Sequence, residues 1–303
     1  MSETKPAIDL VALLNAYDTD RECRTYLEEL RWPNGLSCPR CRGKSISRIK
    51  ERKQFDCDTC RYQFSVTAGT VFHDSHLGLP KWFVAVFLLS ESKKGMSANQ
   101  LKRLLKVSYK TAWYLCHRIR AAMSEANPVP LTGTVEVDET YIGRDRGMGS
   151  GKGDRHAMIL AAIERGGRVR MSKGQRKPRT REELHRFMDA TIDDKAANIY
   201  TDQTIEYRGI QDQNTRHLTV THGLGESVRG DVPTNIVDNA FSLFKRSIVG
   251  SFHQISSKHL DAYLDEFEWR FNNRKNPYLF RDTLLRLIGA ERLEYKQLTK
   301  AAS

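Results

Sequence analysis

Residues 135–143 read Val-Glu-Val-Asp-Glu-Thr-Tyr-Ile-Gly, and their β-branched and aromatic side chains predict a strand. Three further runs are typical of strands: 157–163, 169–171 and 197–201. A helical pattern at about 181–191 precedes the last of these strands. Strands followed by helices, with one helix between two strands, indicate an α/β domain built on a mixed sheet.

Helical patterns complete this domain. After a polar loop, helices are expected at about 235–248 and 257–273, and the second is expected to be the last long helix. At the other end of the chain, residues 8–31 have helical spacing of apolar residues.

Three aspartates lie within or at the ends of these predicted strands and helices. Asp138 lies in the first strand, Asp202 ends another strand, and Asp238 is near the start of a helix. Mg²⁺ prefers oxygen ligands, and two metal ions bridged by carboxylates position a water or a 3′-hydroxyl for in-line attack on a phosphodiester. The pattern therefore indicates a site for two Mg²⁺ or Mn²⁺ ions. Glu139 is expected to point to the opposite face of the sheet from Asp138, so we set it aside.

A lysine follows the third aspartate at helical spacing. Ser242 is four residues and Lys245 seven residues after Asp238, so the three share one helix face. We interpret Lys245 as a contact for a DNA phosphate beside the metals. The alternative, which would be favoured for an isolated helix, is that Asp238 only caps the helix and Lys245 is solvated.

Four of the six cysteines form two C-x-x-C pairs separated by 15 residues. Tetrahedral zinc takes four thiolates, two from each tight turn, and four thiolates leave no open position for catalysis. A redox dithiol would need only one pair, although iron also accepts four cysteines. The spacing predicts a structural zinc ribbon with these ligands: Cys38, Cys41, Cys57 and Cys60.

Two helical patterns, 97–106 and 108–123, flank a tight turn, and Ser108 is a plausible N-cap. They are typical of a helix-turn-helix, although a plain αα-hairpin has the same periodicity. The residues predicted to contact DNA from the second helix are Lys110, Thr111, Tyr114 and Arg118.

A basic stretch, 165–181, carries eight Lys or Arg residues and no acid. It could follow DNA phosphates, with a solvated loop as the alternative. The candidate contacts within it are Arg176, Lys177 and Arg179.

Composition agrees with a polyanionic partner. The 303 residues include 49 Lys and Arg against 37 Asp and Glu, a net charge of +12, which favours nucleic acid over the alternative of a protein that is merely basic. The strongest apolar run, 82–89, is far shorter than the roughly 20 residues of a membrane helix. The N-terminus carries no signal-peptide pattern, so we expect a soluble intracellular protein.

Taken together, these motifs resemble those of bacterial insertion-sequence transposases of the ISXO-like family, which have an N-terminal zinc ribbon and a DDE catalytic domain. The resemblance is carried by the ribbon and by seven further stretches: Val137–Gly143, Tyr200–Asp202, Val228–Asn235, Phe241–Arg246, Gly250–His253, Ser257–Leu260 and Arg270–Asn272. It implies a ribonuclease-H-like catalytic domain in which Asp138 and Asp202 take the first two acidic positions and Lys245 the basic one. The implied segments are a helical segment at 1–33, the zinc ribbon at 34–72, a helix-turn-helix region at 78–127 and the catalytic domain with its C-terminal helix at 131–290.

The function implied by the resemblance is transposition. Such an enzyme binds the terminal inverted repeats of its element, hydrolyses the strand at the element end and transfers the 3′-hydroxyl to target DNA. The resemblance also implies a homodimer or higher multimer on DNA and a cytoplasmic, nucleoid-associated protein.

Two residues depart from the family pattern. Asp238 stands where Glu is usual, and Pro233 replaces a histidine. Aspartate is one methylene shorter, and an ångström of misplacement can cost about 10²-fold in rate. The alternative function is therefore a catalytically weakened or inactive, transposase-derived, sequence-specific DNA-binding protein. A junction-resolving nuclease of the same fold is a third possibility that the ribbon does not support.

Overall fold

The computed structural model divides the chain into two compact units. Unit 1 consists of Met1–Ser124 and Lys275–Ser303, and unit 2 consists of Glu125–Arg274. The residues whose structure is described are 8–143, 157–175, 180–202, 207, 209, 216–220 and 235–300. Among these residues, no helix is both long and apolar enough to cross a membrane.

Unit 2 is built on a five-stranded mixed sheet. In chain order its strands are β4 (Thr134–Ile142), β5 (Ala157–Glu164), β6 (Val169–Lys173), β7 (Asn198–Asp202) and β8 (Arg216–Val220). Their spatial order is β6-β5-β4-β7-β8. The strand β5 is antiparallel to β4 and β6, whereas β4, β7 and β8 are mutually parallel. The predicted mixed sheet is confirmed, and the strand first identified in the sequence is its centre.

Helices cover both faces of this sheet. The helices α7 (Asn235–Ser247) and α8 (Leu260–Asn272) pack on one face, and α6 (Arg181–Thr191) packs on the other. Because side chains alternate along a strand, Ile159 and Ala161 of β5 enter the first core, whereas Met158 and Leu160 enter the second.

Three details of unit 2 differ from the sequence expectation. The strand β8 lies where a polar loop was predicted, and that prediction is wrong for residues 216–220. This strand is at the edge of the sheet, where Arg216, Leu218 and Thr219 are exposed, so no run of buried apolar residues marks it in the sequence. The helix α7 continues into a π-helix, Ile248–Phe252, and a 3₁₀ turn, Ser257–His259, precedes α8.

Unit 1 combines helices with a small three-stranded antiparallel sheet. Its strands are β1 (Ile46–Ile49), β2 (Gln54–Cys57) and β3 (Gln63–Phe64). Its helices are α1 (Leu10–Ala16), α2 (Asp20–Arg31), α3 (Leu79–Glu91), α4 (Ala98–Leu105), α5 (Tyr109–Met123), α9 (Leu279–Gly289) and α10 (Tyr295–Thr299).

N-cap residues set the helix boundaries in unit 1. The predicted helical stretch 8–31 is split because Thr19 and Glu22 form a capping box that starts α2. The expected cap at Ser108 is confirmed, since its side chain accepts the backbone N–H of Thr111 at 3.0 Å.

The helix α9 was not expected from the sequence, and it belongs to unit 1. Its Phe280 ring lies 5.7 Å from the Phe83 ring of α3 and 6.5 Å from Tyr17. The apolar face of α9 is buried against α2, α3 and α5. The catalytic domain was expected to extend to 290, whereas the boundary between the two units follows Arg274.

Two side chains of α8 cover the outer edge of β6. The side chain of Asn272 accepts the N–H of Val169 at 2.8 Å and donates to its carbonyl at 3.0 Å. Glu268, one turn earlier, accepts the N–H of Met171 and also pairs with Arg170 at 3.3 Å. The edge strand is thereby satisfied by side chains instead of by another strand.

Burial raises the pKa of Glu268 from its ordinary value of 4.5 to about 7, although Met171 and Arg170 act in the opposite direction. Because the folded-state pKa is above the unfolded value, the contribution of Glu268 to stability is complete below pH 4.5 and is lost as pH rises through about 7.

We expect Glu268→Gln to remove this dependence. Between pH 4.5 and 7, the free energy of unfolding of the native chain should fall relative to that of the variant, by on the order of 3 kcal/mol. Urea unfolding at several pH values measures the difference, with Glu182→Gln, an exposed acid of α6, as the control for the loss of one charge. Parallel pH profiles for the native chain and Glu268→Gln would contradict the prediction.

Candidate active site and zinc centre

Four cysteine thiols converge in unit 1. The sulfur atoms of Cys38, Cys41, Cys57 and Cys60 all lie within 4.8 Å of one another. The Sγ atoms of Cys38 and Cys60 are 3.7 Å apart, and those of Cys41 and Cys57 are 3.5 Å apart. Four ligands at about 2.3 Å around a tetrahedral zinc ion are about 3.8 Å apart. The sulfur positions therefore fit one structural zinc ion.

The two cysteine turns share one backbone geometry. After the second cysteine of each pair, an arginine adopts the left-handed region, with φ 60° at Arg42 and 56° at Arg61. Each arginine donates its backbone N–H to the carbonyl of the first cysteine of its pair, Cys38 or Cys57. The backbone N–H of Cys60 lowers the pKa of the Cys57 thiol to about 7, which favours the thiolate that zinc requires.

Aromatic rings provide the core beneath this centre. Phe55 and Phe64 are buried, and the ring of Trp32, which follows α2, contacts both of them edge-on. The guanidinium of Arg31 lies over the Trp32 ring and donates to the carbonyls of Val66 and Ala68. These contacts join the end of α2 to the ribbon.

In unit 2, three carboxylates converge at the carboxyl ends of the neighbouring strands β4 and β7. One oxygen from each of Asp138, Glu139 and Asp202 lies within 4.8 Å of the others. The strands β4 and β7 are parallel, so the carboxyl end of β7 at Asp202 reaches the same level as Asp138 on β4. The expected proximity of these two aspartates is thus present in the structure.

Glu139 also belongs to this group, although it leaves β4 on the face opposite to Asp138, as expected. Alternation does send Glu139 toward the α6 face, where its Oε2 accepts the hydroxyl of Tyr207 at 2.7 Å. The pairing of β4 with β7 ends at Glu136, so beyond that point the long side chain of Glu139 reaches the ends of both strands. Neither the alternation of side chains along a strand nor the spacing of acids in the sequence predicts that Glu139 approaches the two aspartates.

Neighbouring contacts fix the position of Asp202 at the end of β7. Thr201 is buried, and its hydroxyl lies 2.8 Å from Nε2 of His217 on β8. Burial lowers the pKa of His217, and the nearby His185 lowers it further. The contact between His217 and Thr201 ties β7 to β8 next to Asp202.

The first turn of α7 is held by a buried carboxylate. Glu136 is only 1% exposed and accepts the backbone N–H groups of Ile236 at 3.2 Å and Val237 at 3.4 Å. Arg165 also bonds this carboxylate, at 3.4 Å. Burial raises the pKa of Glu136, and these three partners oppose that rise.

Asp238 and Lys245 both lie on the exposed side of α7. Asp238 is in the first turn, and its carboxylate is outside the group formed by Asp138, Glu139 and Asp202. Lys245 donates from Nζ to the hydroxyl of Thr140 at 2.6 Å, so its ammonium group lies beside the carboxyl end of β4. The structure therefore brings the lysine to the strand that carries the acids.

Comparison with known proteins agrees with this geometry. The model of the ISXO2-like transposase domain matches residues 130–272, and that of the transposase zinc-ribbon domain matches residues 18–63. An uncharacterized protein in transposable element ISH50 of Halobacterium salinarum is 30% identical over 280 residues, covering 85% of this chain and 92% of that protein. The chain belongs to the ISXO2-like transposase family.

This transposase uses part of its predicted DNA-contact helix, α5, internally. Arg118 is 4% exposed and donates to the carbonyls of Val71 and His73. Tyr114 donates its hydroxyl to the carbonyl of Leu293. Both side chains are therefore used to hold unit 1 together, and we withdraw Arg118 as a DNA contact.

The other predicted DNA contacts of the transposase have different surroundings. Lys110 is exposed, and its ammonium group lies 4.6 Å from the centre of the Tyr295 ring of α10. Thr111 is partly exposed, and its hydroxyl is within 2.8 Å of that of Ser108. The basic-loop candidates Arg176, Lys177 and Arg179 lie outside the described residues.

We expect the transposase to purify with one zinc ion per chain and Cys41→Ser to lose it, because three thiolates cannot close the tetrahedron. The variant should also unfold at a lower temperature, since zinc binding contributes directly to folding. Elemental analysis and thermal unfolding measure the two effects, and Cys23→Ala, a buried cysteine outside the cluster, is the control. A full equivalent of zinc in Cys41→Ser, or iron in the native chain, would contradict the assignment.

Proposed function

We propose that this transposase binds the terminal inverted repeats of its element, hydrolyses the phosphodiester at the element end and joins the new 3′-hydroxyl to target DNA. The observation that carries the proposal is the convergence of Asp138 and Asp202 at the carboxyl ends of β4 and β7, with Lys245 bonded to Thr140 of the same strand β4. The family match and the relative from a transposable element support the same reaction.

The acidic group suits hard divalent cations. Oxygen ligands about 2.1 Å from one Mg²⁺ are about 3 Å apart when adjacent and about 4 Å apart when opposite, and the carboxylate oxygens here lie within 4.8 Å. In our proposal Asp138 and Asp202 hold Mg²⁺ or Mn²⁺, two ions in all, and Asp238 approaches them from α7. Such ions activate the attacking oxygen and stabilise the leaving oxygen.

The remaining residues bind and orient the DNA strand. Lys245 is placed to contact a phosphate next to the scissile bond. In the first step a water oxygen attacks phosphorus and the bond to the 3′ oxygen breaks, leaving a 3′-hydroxyl on the element. In the second step this hydroxyl attacks a target phosphodiester and displaces the target 3′ oxygen, without a covalent protein intermediate.

A basic surface of unit 1 is our candidate for holding the element end. Residues 92–124, which include α4 and α5, contain eight Lys or Arg and no acid. The exposed bases around the turn between the two helices are Lys102, Arg103, Lys106 and Lys110. Since Arg118 is buried, we propose that the N-terminal end of α5 and this turn make the DNA contacts. Two chains, one on each end of the element, would make the functional homodimer or higher multimer.

Cleavage of a duplex that contains the element end tests the chemistry. With Mg²⁺ or Mn²⁺, the native chain should nick the strand at the element end. Asp202→Ala should lose more activity than the roughly 10- to 100-fold that removal of an outer partner of a metal ligand costs, because it removes a ligand itself. Asp189→Ala, an exposed acid on α6, is the control. Equal products from the native chain and Asp202→Ala would refute the mechanism.

Replacement of Asp238 by Glu separates the two candidate functions. If Asp238 is the working third acid, the longer side chain misplaces its carboxylate and nicking should fall by about 10²-fold. We expect this loss. A large gain in nicking would instead favour a catalytically weakened, DNA-binding descendant of such an enzyme, the function suggested by the shorter acid.

Salt dependence tests the basic surface. Each phosphate contact contributes about −0.9 to the slope of log K against log salt. Lys106→Gln and Lys110→Gln should each make the slope less negative by about 1 and weaken binding to all sequences alike. Fluorescence anisotropy with a labelled element end measures the slope, and Lys195→Gln, between β7 and α6, is the control. An unchanged slope in both variants would exclude this surface.

A further inference from the structure

The glutamate that follows Asp138 in β4 has the surroundings of a metal ligand. We infer that Glu139 is a third protein ligand of the divalent-cation site and that Tyr207 holds it in place. This inference rests on the proposed function, because it adds a residue to the same site. The sequence offers Asp238 for the third position, whereas the structure assigns Glu139 to the group of converging carboxylates.

The first argument is the geometry of the hydrogen bonds. The Tyr207 hydroxyl donates to Oε2 of Glu139 at 2.7 Å, and the backbone N–H of Glu139 donates to Oδ1 of Asp138 at 2.8 Å. These bonds orient the carboxylates of Glu139 and Asp138, each of which can accept several bonds. One oxygen of each carboxylate lies within 4.8 Å of the other and of an oxygen of Asp202.

The second argument is the rigidity of the support. Tyr207 is 0% exposed and is part of the core between the sheet and α6, with Leu184 and Met188. Metal ligands are commonly oriented by an outer hydrogen-bond partner, whose removal costs about 10- to 100-fold in metal affinity. Tyr207 is placed to do this for Glu139, and we therefore assign it as a positioning residue.

The third argument is electrostatic. Glu139 raises the negative charge of the group from two carboxylates to three, all within 4.8 Å. Like charges at this separation repel unless a cation lies among them. A side chain needed only as the acceptor of Tyr207 could point away from both aspartates, but the oxygen of Glu139 is directed to them.

Mn²⁺ binding to the full-length protein tests the inference without requiring activity. Calorimetry gives the affinity, and broadening of the Mn²⁺ electron paramagnetic resonance signal by ¹⁷O water counts the bound waters. We expect Glu139→Gln to weaken Mn²⁺ binding by at least about tenfold and to add one bound water, because water replaces the lost carboxylate. The control is Glu164→Gln on β5, which removes a charge at the opposite end of the sheet.

Tyr207→Phe removes only the hydroxyl. It should weaken Mn²⁺ binding by about tenfold while the thermal unfolding temperature and the fold, followed by circular dichroism, change little. A purely structural role would lower the unfolding temperature and leave the affinity of the folded protein unchanged. If Glu139→Gln does not fold, Glu139→Asp, which keeps the charge and shortens the side chain, should show the same weakened binding.

The outcomes for Glu139 and for the proposed function are distinguishable. If Asp138→Ala and Asp202→Ala abolish Mn²⁺ binding while Glu139→Gln binds as tightly as the native chain, the site stands and the assignment of Glu139 is overturned. If both aspartate variants also bind Mn²⁺ like the native chain, the proposed metal site itself is refuted. Weakened binding in all three variants supports both.

Discussion

A buried carboxylate at a helix N-terminus determines the geometry of unit 2. Glu136, in the middle strand, bonds the first backbone N–H groups of α7 and the side chain of Arg165. The partial positive charge of a helix N-terminus favours such an anion. Burial nevertheless raises the pKa of Glu136, so the desolvation cost exceeds the gain from these partners. Despite this cost, the bonds from Glu136 fix the start of α7 to β4.

A second contact keeps the same helix in register. The nine residue-to-residue steps of α7 from Ile236 to Lys245 rise by about 13.5 Å. The four steps of β4 from Glu136 to Thr140 extend by about 13.2 Å. The two lengths agree, so α7 bonds to β4 at both ends of this span, through Glu136 at one end and Lys245 at the other. The helix is thus bonded at two places to the strand that carries Asp138.

Much of this arrangement could be predicted from the sequence. Alternation and apolar runs give β4, β5 and β7, and two C-x-x-C pairs give the ribbon because local spacing determines both. The helix α9 was missed although Leu279, Phe280, Leu284 and Leu287 have helical spacing, and its place in unit 1 depends on distant partners such as Phe83. The strand β8 was missed because most of its residues are exposed. Arg118 reads as a surface base, but its guanidinium bonds two carbonyls that are more than 40 residues away in the chain.

The candidate site shows the same division between local and distant determinants. Asp138 and Asp202 could be placed together because parallel strands end at one edge of a sheet. Glu139 could not, because its position depends on where β4 and β7 cease to pair and on Tyr207, a residue 68 positions later in the chain. Backbone alternation predicts the direction in which a side chain leaves the strand, but it does not predict where a long side chain ends.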